Sequence, residues 1–112
     1  MTPTPVYMED ALMVLGSPEI AQEAMEIMYQ GLREYGVHSL DAHVVAVELP
    51  RGPMQKVWVD WDYHSKAGAR VATVRAEYVL RHPDRPDETM IEMVNYVNFA
   101  FPAIVERLPL AR

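Results

Sequence analysis

The chain has 112 residues, the size of one domain, so we treat residues 1–112 as a single unit. Its 16 acidic and 10 basic residues give a formal net charge of −6, which argues against nucleic-acid binding because a phosphate backbone would be repelled. The absence of cysteine excludes disulfides and thiol nucleophiles. No apolar run approaches the ~20 residues that span a bilayer, and the N-terminus lacks the pattern of a secretory signal. We therefore expect a cytoplasmic protein without a membrane partner.

The N-terminal segment is the least regular part of the sequence. Residues 1–5 contain two prolines and are expected to form a flexible arm. The following stretch allows two interpretations. It forms either two short strands, Val6–Met8 and Leu12–Leu15, that turn at Glu9 and Asp10, or a helical turn from Glu9 to Leu15.

A helix is predicted from Ser17 to Tyr35. Serine is a preferred N-cap, and the proline that follows is suited to the first helical position. Gly36 occupies the position of a left-handed C-cap. Gly31 lies inside the helix, where glycine costs about 1 kcal/mol relative to alanine, so we expect the helix to approach the sheet closely there. Apolar side chains recur with helical spacing at Ile20, Ala24, Ile27, Met28, Leu32 and Tyr35.

From residue 37 onward the apolar period changes to two, which predicts four strands. Their order and the short turns between the first three favour an antiparallel meander. A polar, proline-rich loop at residues 82–87 precedes the last strand, and a short helix is predicted at Pro102–Leu108. The fold class is therefore α+β, with one main helix packed on a strongly curved antiparallel sheet. The predicted strands are Leu40–Leu49, Lys56–His64, Arg70–Arg81 and Met90–Tyr96.

The second strand alternates an aromatic and aliphatic face with a charged face, because successive strand side chains point to opposite sides. The turn before the third strand allows Asp60 to lie opposite Arg75 and Asp62 opposite Thr73. A slip by one residue would bury these charges, so we expect this register. Trp58 shares the charged face with Val79, which predicts a sheet-to-sheet contact in a homodimer. The apolar face carries Val57, Val59, Trp61 and Tyr63, and the charged face carries Trp58, Asp60, Asp62 and His64.

This order of elements resembles that of the NTF2-like superfamily over residues 6–97. The resemblance implies a cone-shaped α+β fold of the SnoaL and ketosteroid-isomerase type, a pocket between helix and concave sheet, and frequent dimerisation. Members usually carry further N-terminal helices that close the cone, whereas residues 1–16 alone precede the helix here, so the cone is expected to be open or closed by a partner subunit. A hotdog-type thioesterase is the competing fold. The similarity lies in Gly31–Val37, in Trp61 and Tyr63, in the Gly68 turn before Arg70 and Val71, and in the strands ending at Tyr78–Arg81 and Met90–Val94.

The pattern favours a small-molecule-binding domain with an apolar pocket. One alternative is an isomerase, cyclase or dehydratase that uses a pocket carboxylate, with tyrosines as hydrogen-bond donors. The other is a protein-interaction module that docks a partner through the exposed sheet. Whether the protein is an enzyme stays open at this stage. The predicted ligand-binding residues are Trp61, Tyr63, Tyr78, Met93 and Asn95.

No catalytic residue, metal or cofactor is assigned from the sequence. Asp60, Asp62 and Glu77 fall on the polar face in the expected register, and the register of the last strand leaves the position of Glu92 open. The four histidines are scattered without the spacing of metal ligands. The expected partners are therefore a small apolar molecule and a second copy of the chain.

Overall fold

A computed structural model describes residues 3–8, 11–82 and 89–110. These residues form an α+β fold with one six-stranded sheet, one long helix and one short helix. No helix in the described ranges is long and apolar enough to cross a bilayer. The strands are β1 Thr4–Met8, β2 Ala11–Leu15, β3 Ser39–Val47, β4 Met54–His64, β5 Arg70–Arg81 and β6 Met90–Tyr96, and the helices are α1 Pro18–Glu34 and α2 Pro102–Val105.

The sheet is mixed and open, with strand order β2-β1-β6-β5-β4-β3. The meander from β3 to β6 is antiparallel, as predicted. The N-terminal stretch forms strands, and β1 pairs antiparallel with β2 but parallel with β6, with Val6 opposite Val94. The expectation of a wholly antiparallel sheet is therefore corrected. This pairing occurs because β1 covers the edge of β6 and thereby buries Val6 and Met8.

The N-terminal segment is more regular than its sequence predicts. Thr4 and Pro5, expected in a flexible arm, lie in β1 opposite Leu15 and Val14. The turn expected at residues 9 and 10 and most of the loop expected at residues 82–87 lie outside the described residues.

The register of β4 against β5 is confirmed. Asp60 lies opposite Arg75, and the Arg75 Nε donates to Asp60 Oδ1 over 2.8 Å. Asp62 lies opposite Thr73, whose hydroxyl donates to Asp62 Oδ1 over 2.6 Å. We call the face that carries Trp61 the inner face and the face that carries these polar pairs the outer face.

Helix α1 begins and ends as its sequence predicts. The Ser17 Oγ accepts a hydrogen bond from the backbone N–H of Ile20 over 3.2 Å, which caps the first turn. Gly36 follows the helix with a φ of 80°, a conformation that glycine adopts without strain. The buried side of the helix carries Ala24 and Leu32 and packs over the inner face of the sheet.

Gly31 allows α1 to approach α2, which corrects the expectation that it faces the sheet. A Cβ at this position would lie 2.7 Å from Cγ1 and 2.9 Å from Cδ1 of Ile104. Ile104 is fully buried, so its side chain has little room to move away. The same contact brings residues 99–101, which lead into α2, against the ring of Tyr63 through Phe101.

Substitution of Gly31→Ala should therefore lower the free energy of unfolding, because overpacking costs typically ~1–3 kcal/mol and exceeds the ~1 kcal/mol gain in helix propensity. In an Ile104→Ala background the clash is gone, so the same substitution should become stabilising. Chemical denaturation of the four proteins in this cycle measures both effects. Stabilisation by Gly31→Ala in the otherwise unchanged chain would contradict the proposed close packing.

Candidate functional site

A cavity of about 340 Å³ lies between α1 and the inner face of the sheet. Ala24, Met28 and Leu32 form part of its helical wall. Met25, Tyr29 and Ile91 also line it and are 53%, 45% and 48% exposed, so they mark its opening to solvent. The aromatic side chains on the sheet wall are Trp61, Tyr63, Tyr78 and Tyr96.

The local sequence explains why this space is open and apolar. Small side chains on the helix, Ala21 and Ala24, leave room where larger residues would fill the core. On the opposite side, β1 contributes Val6 and Met8, which are each 4% exposed. Among the described residues that line the cavity, none carries a charge. The cavity therefore suits an uncharged molecule, because an unpaired ion would be costly to bury there.

A group of hydroxyl and indole donors gives this apolar wall one polar spot. The indole Nε1 of Trp61 donates to the hydroxyl of Tyr78 over 2.9 Å. Burial raises the pKa of Tyr78, and hydrogen bonds with Trp61 and Tyr96 oppose that rise. Burial also raises the pKa of Tyr96, and the neighbouring Tyr78 and Tyr63 raise it further.

The direction of these hydrogen bonds decides what the polar spot offers. A phenol has one hydrogen to donate and two acceptor sites. The oxygen of Tyr78 accepts from Trp61, so the hydrogen of the Tyr78 hydroxyl is not used in that bond. The arrangement offers a neutral hydrogen-bond donor to an oxygen or nitrogen acceptor on a bound molecule.

Tyr63 lies at the deep end of the aromatic wall. It is 5% exposed and stacks on Phe101 with ring centroids 5.8 Å apart. Burial, assisted by the neighbouring Tyr78, raises the pKa of Tyr63 to about 12. The tyrosines of the wall therefore stay neutral at physiological pH and preserve the uncharged character of the cavity.

The predicted ligand-binding residues divide between the two faces of the sheet. Trp61, Tyr63 and Tyr78 line the cavity. Met93 and Asn95 lie opposite Val79 and Glu77 on the outer face, and β6 instead directs Val94 and Tyr96 into the cavity. A register shift between β5 and β6, where Val79 and Leu80 lie opposite Met93 and Ile91 and Glu92 is the extra residue, sets this alternation together with the pairing of β6 with β1.

Several lining residues were not predicted from the sequence. Tyr96 was considered as a hydrogen-bond donor, and Val94 could have been found from its spacing of two from Tyr96, had the register of β6 been known. The side chains from β1 and β2 could not have been found from the sequence, because nothing local in it signals a parallel pairing between the two ends of the chain. Among the missed residues are Val6, Met8, Met13, Leu40 and Val94.

The carboxylates considered as catalytic bases lie on the outer side, away from the cavity. The Arg75 hydrogen bond lowers the pKa of Asp60, and the Thr73 hydrogen bond lowers that of Asp62. Both carboxylates are therefore stabilised as anions rather than poised to accept a proton. Glu77 and Glu92 form ion pairs with Lys56 and Arg81, respectively. The described residues also contain no cluster of histidines and carboxylates that could hold a metal ion.

Trp58 and Val79, the predicted dimer contact, both lie on the outer face and are half-buried. Trp58 is flanked across the strands by Ala46 and Glu77. The pair between Lys56 Nζ and Glu77 Oε1, 3.7 Å apart, lies beside them. The apolar surface at this position is therefore small and enclosed by charged groups.

Comparisons of the chain with protein-family models, with curated proteins and with solved structures found no significant match. What the cavity can do therefore follows from its own residues. Its chemistry is that of an apolar binding site with a neutral donor.

Raising the pH should destabilise the fold because the unfolded chain releases tyrosine protons that the folded chain retains. For Tyr63, with an ordinary pKa of 10 and a folded pKa of about 12, the stabilisation is complete below pH 10 and is lost as the pH rises through 12. At about pH 11 the loss from this residue alone is on the order of 1 kcal/mol.

The difference between the wild-type chain and Tyr63→Phe isolates this effect, since the variant lacks the ionisable hydroxyl. Urea denaturation of both proteins between pH 9 and 11 should show the wild type losing stability relative to the variant. If the free energies of unfolding of the two proteins changed in parallel over this pH range, Tyr63 would not be buried in a neutral state.

Proposed function

We propose that this protein binds a small, uncharged and largely apolar molecule between α1 and the sheet. The observation that carries the proposal is a cavity of about 340 Å³ without charged walls, open to solvent beside Met25, Tyr29 and Ile91. This volume lies at the small end of the range typical of ligand sites, which are mostly apolar with a few placed polar groups.

The ligand should carry one hydrogen-bond acceptor, such as a carbonyl oxygen. Tyr78 is the group that would recognise it, because its oxygen accepts from Trp61 and a phenol keeps one hydrogen to donate. A buried donor left unpaired costs free energy, so a ligand with a matching acceptor gains over a pure hydrocarbon. The rest of the affinity would come from the apolar walls.

The NTF2-like assignment is part of the proposal. A long helix over a mixed sheet, with an apolar pocket between them, supports it. In this chain β1 and β2 occupy the segment before the helix where family members usually carry further helices.

Binding without turnover is favoured over an isomerase, cyclase or dehydratase activity. Those reactions need a general base, and the carboxylates Asp60, Asp62 and Glu92 are engaged by Arg75, Thr73 and Arg81 on the outer side. The described walls of the cavity supply tyrosine donors but no carboxylate.

Binding of a matched ketone and hydrocarbon tests the proposal. α-Tetralone and tetralin share one bicyclic skeleton and differ at the carbonyl group. We expect both to raise the melting temperature and α-tetralone to bind more tightly. Tyr78→Phe should lower the affinity for α-tetralone by roughly 2- to 12-fold, which corresponds to the loss of one neutral hydrogen bond. The affinity for tetralin should stay nearly unchanged.

Two variants serve as controls for this titration. Tyr35→Phe removes the hydroxyl of a residue that is 45% exposed and does not line the cavity, so it should change the affinity for neither compound. Ala24→Phe places a ring in the cavity and should abolish both. If neither compound binds, the proposed function fails. If both compounds bind equally and Tyr78→Phe has no effect, the cavity is a binding site but Tyr78 is not its hydrogen-bond donor.

A further inference from the structure

Strand β3 is one of the two edge strands of the sheet, β2 being the other, and no described strand or helix covers the side of β3 away from β4. It pairs with β4 on one side and has no strand on the other. All of its residues except Leu40 are exposed, with Val44 at 63% and Val47 at 57%. An edge of this kind presents unpaired backbone groups that can pair with another strand.

The regular part of β3 has a chemical symmetry about Ala42. Asp41 and His43 flank it on the outer face, where they lie opposite Asp62 and Asp60 of β4. Leu40 and Val44 lie two residues away on either side, on the inner face opposite Tyr63 and Val59. From Leu40 to Val44 the side chains are therefore apolar, acidic, small, basic when protonated, and apolar again.

We propose that a second copy of this chain pairs its β3 antiparallel with β3 of the first, with the two-fold axis passing at Ala42. In this register Asp41 of each copy lies opposite His43 of the other, and Leu40 lies opposite Val44. The two sheets then form one continuous sheet across the dimer. A two-fold interface of this type is closed, because each edge is used once.

Charge complementarity identifies the second copy as the occupant. Within one chain Asp41 lies directly opposite Asp62, which places two like charges side by side. Each has one histidine nearby: His64 Nδ1 lies 3.2 Å from Asp41, and His43 Nε2 lies 3.2 Å from Asp62. The second copy would place its His43 opposite each Asp41. The edges of the two copies are therefore complementary in charge when the histidines are protonated.

Apolar surface at the two ends of β3 extends the same interface. The strand follows Tyr35, which is 45% exposed, and it leads to Leu49, which is 86% exposed. In an antiparallel pair the start of one strand lies beside the end of the other. Leu49 of each copy would therefore approach the Tyr35 region of its neighbour and lose water-exposed apolar surface.

The outer face of the sheet fits a second copy less well, although Trp58 and Val79 lie there. Asp60 and Glu77 flank them in ion pairs with Arg75 and Lys56. A face-to-face dimer would have to remove these ions from water, which costs more than their pairing regains unless the geometry is excellent. Pairing at the β3 edge leaves them solvated.

Cysteine cross-linking tests this register directly, because the chain contains no cysteine of its own. Residues directly opposite in an antiparallel pair have Cα atoms roughly 4.5–5.5 Å apart, within the range that a disulfide bridges. Ala42→Cys should therefore form a covalent dimer under mild oxidation. Its rate should exceed that of Ala100→Cys, an exposed control outside the strands, by about 100-fold or more, since pairing makes the reaction intramolecular.

Sedimentation of three proteins completes the test. The wild type should be a dimer at micromolar concentration, Ala42→Lys should be a monomer because two lysines would meet at the axis, and Trp58→Glu should remain a dimer. The proposal is overturned if the wild type is a monomer, if dimerisation is lost in Trp58→Glu and kept in Ala42→Lys, or if both cysteine variants cross-link at the same rate.

Discussion

The register of β4 against β5 determines which side chains reach the cavity. With Trp61 opposite Val74 and Asp60 opposite Arg75, every aromatic residue of these two strands except Trp58 faces inward and every ion pair faces outward. The exposed ion pair itself contributes little to stability. The register is held because a shift by one residue would exchange the two faces, bury the charges and expose Tyr63.

The same constraint gives the cavity its chemical character. Because the charged residues of β4 and β5 are directed outward, the inner wall is left with aromatic and aliphatic groups. Tyr78 can then act as a neutral donor whose geometry is fixed by Trp61 rather than by a charged neighbour. Small helical residues such as Ala24 keep this wall accessible, whereas Gly31 lets the end of the helix close tightly over Ile104.

Local signals in the sequence were sufficient for much of this architecture. Ser17 and Gly36 marked the helix ends, and alternation in β4 identified Trp61 and Tyr63 as inward residues. Pairing between strands that are distant in the sequence could not be predicted from these local signals. The parallel contact of β1 with β6 joins the two ends of the chain, and a register shift at Val79 sets the faces of β6. For these reasons Met93 and Asn95, predicted to bind the ligand, lie on the outer face, and the sequence does not predict that Val94 lines the cavity.

The central claim is that a small neutral molecule binds beside the Trp61–Tyr78 hydrogen bond. The chain has two tryptophans, Trp61 in the cavity wall and Trp58 on the outer face, so their indole N–H signals in a nitrogen–proton NMR spectrum report the two faces separately. Titration with α-tetralone should shift the Trp61 signal and leave that of Trp58 in place. A shift of Trp58 alone, or of neither signal, would contradict binding in this cavity.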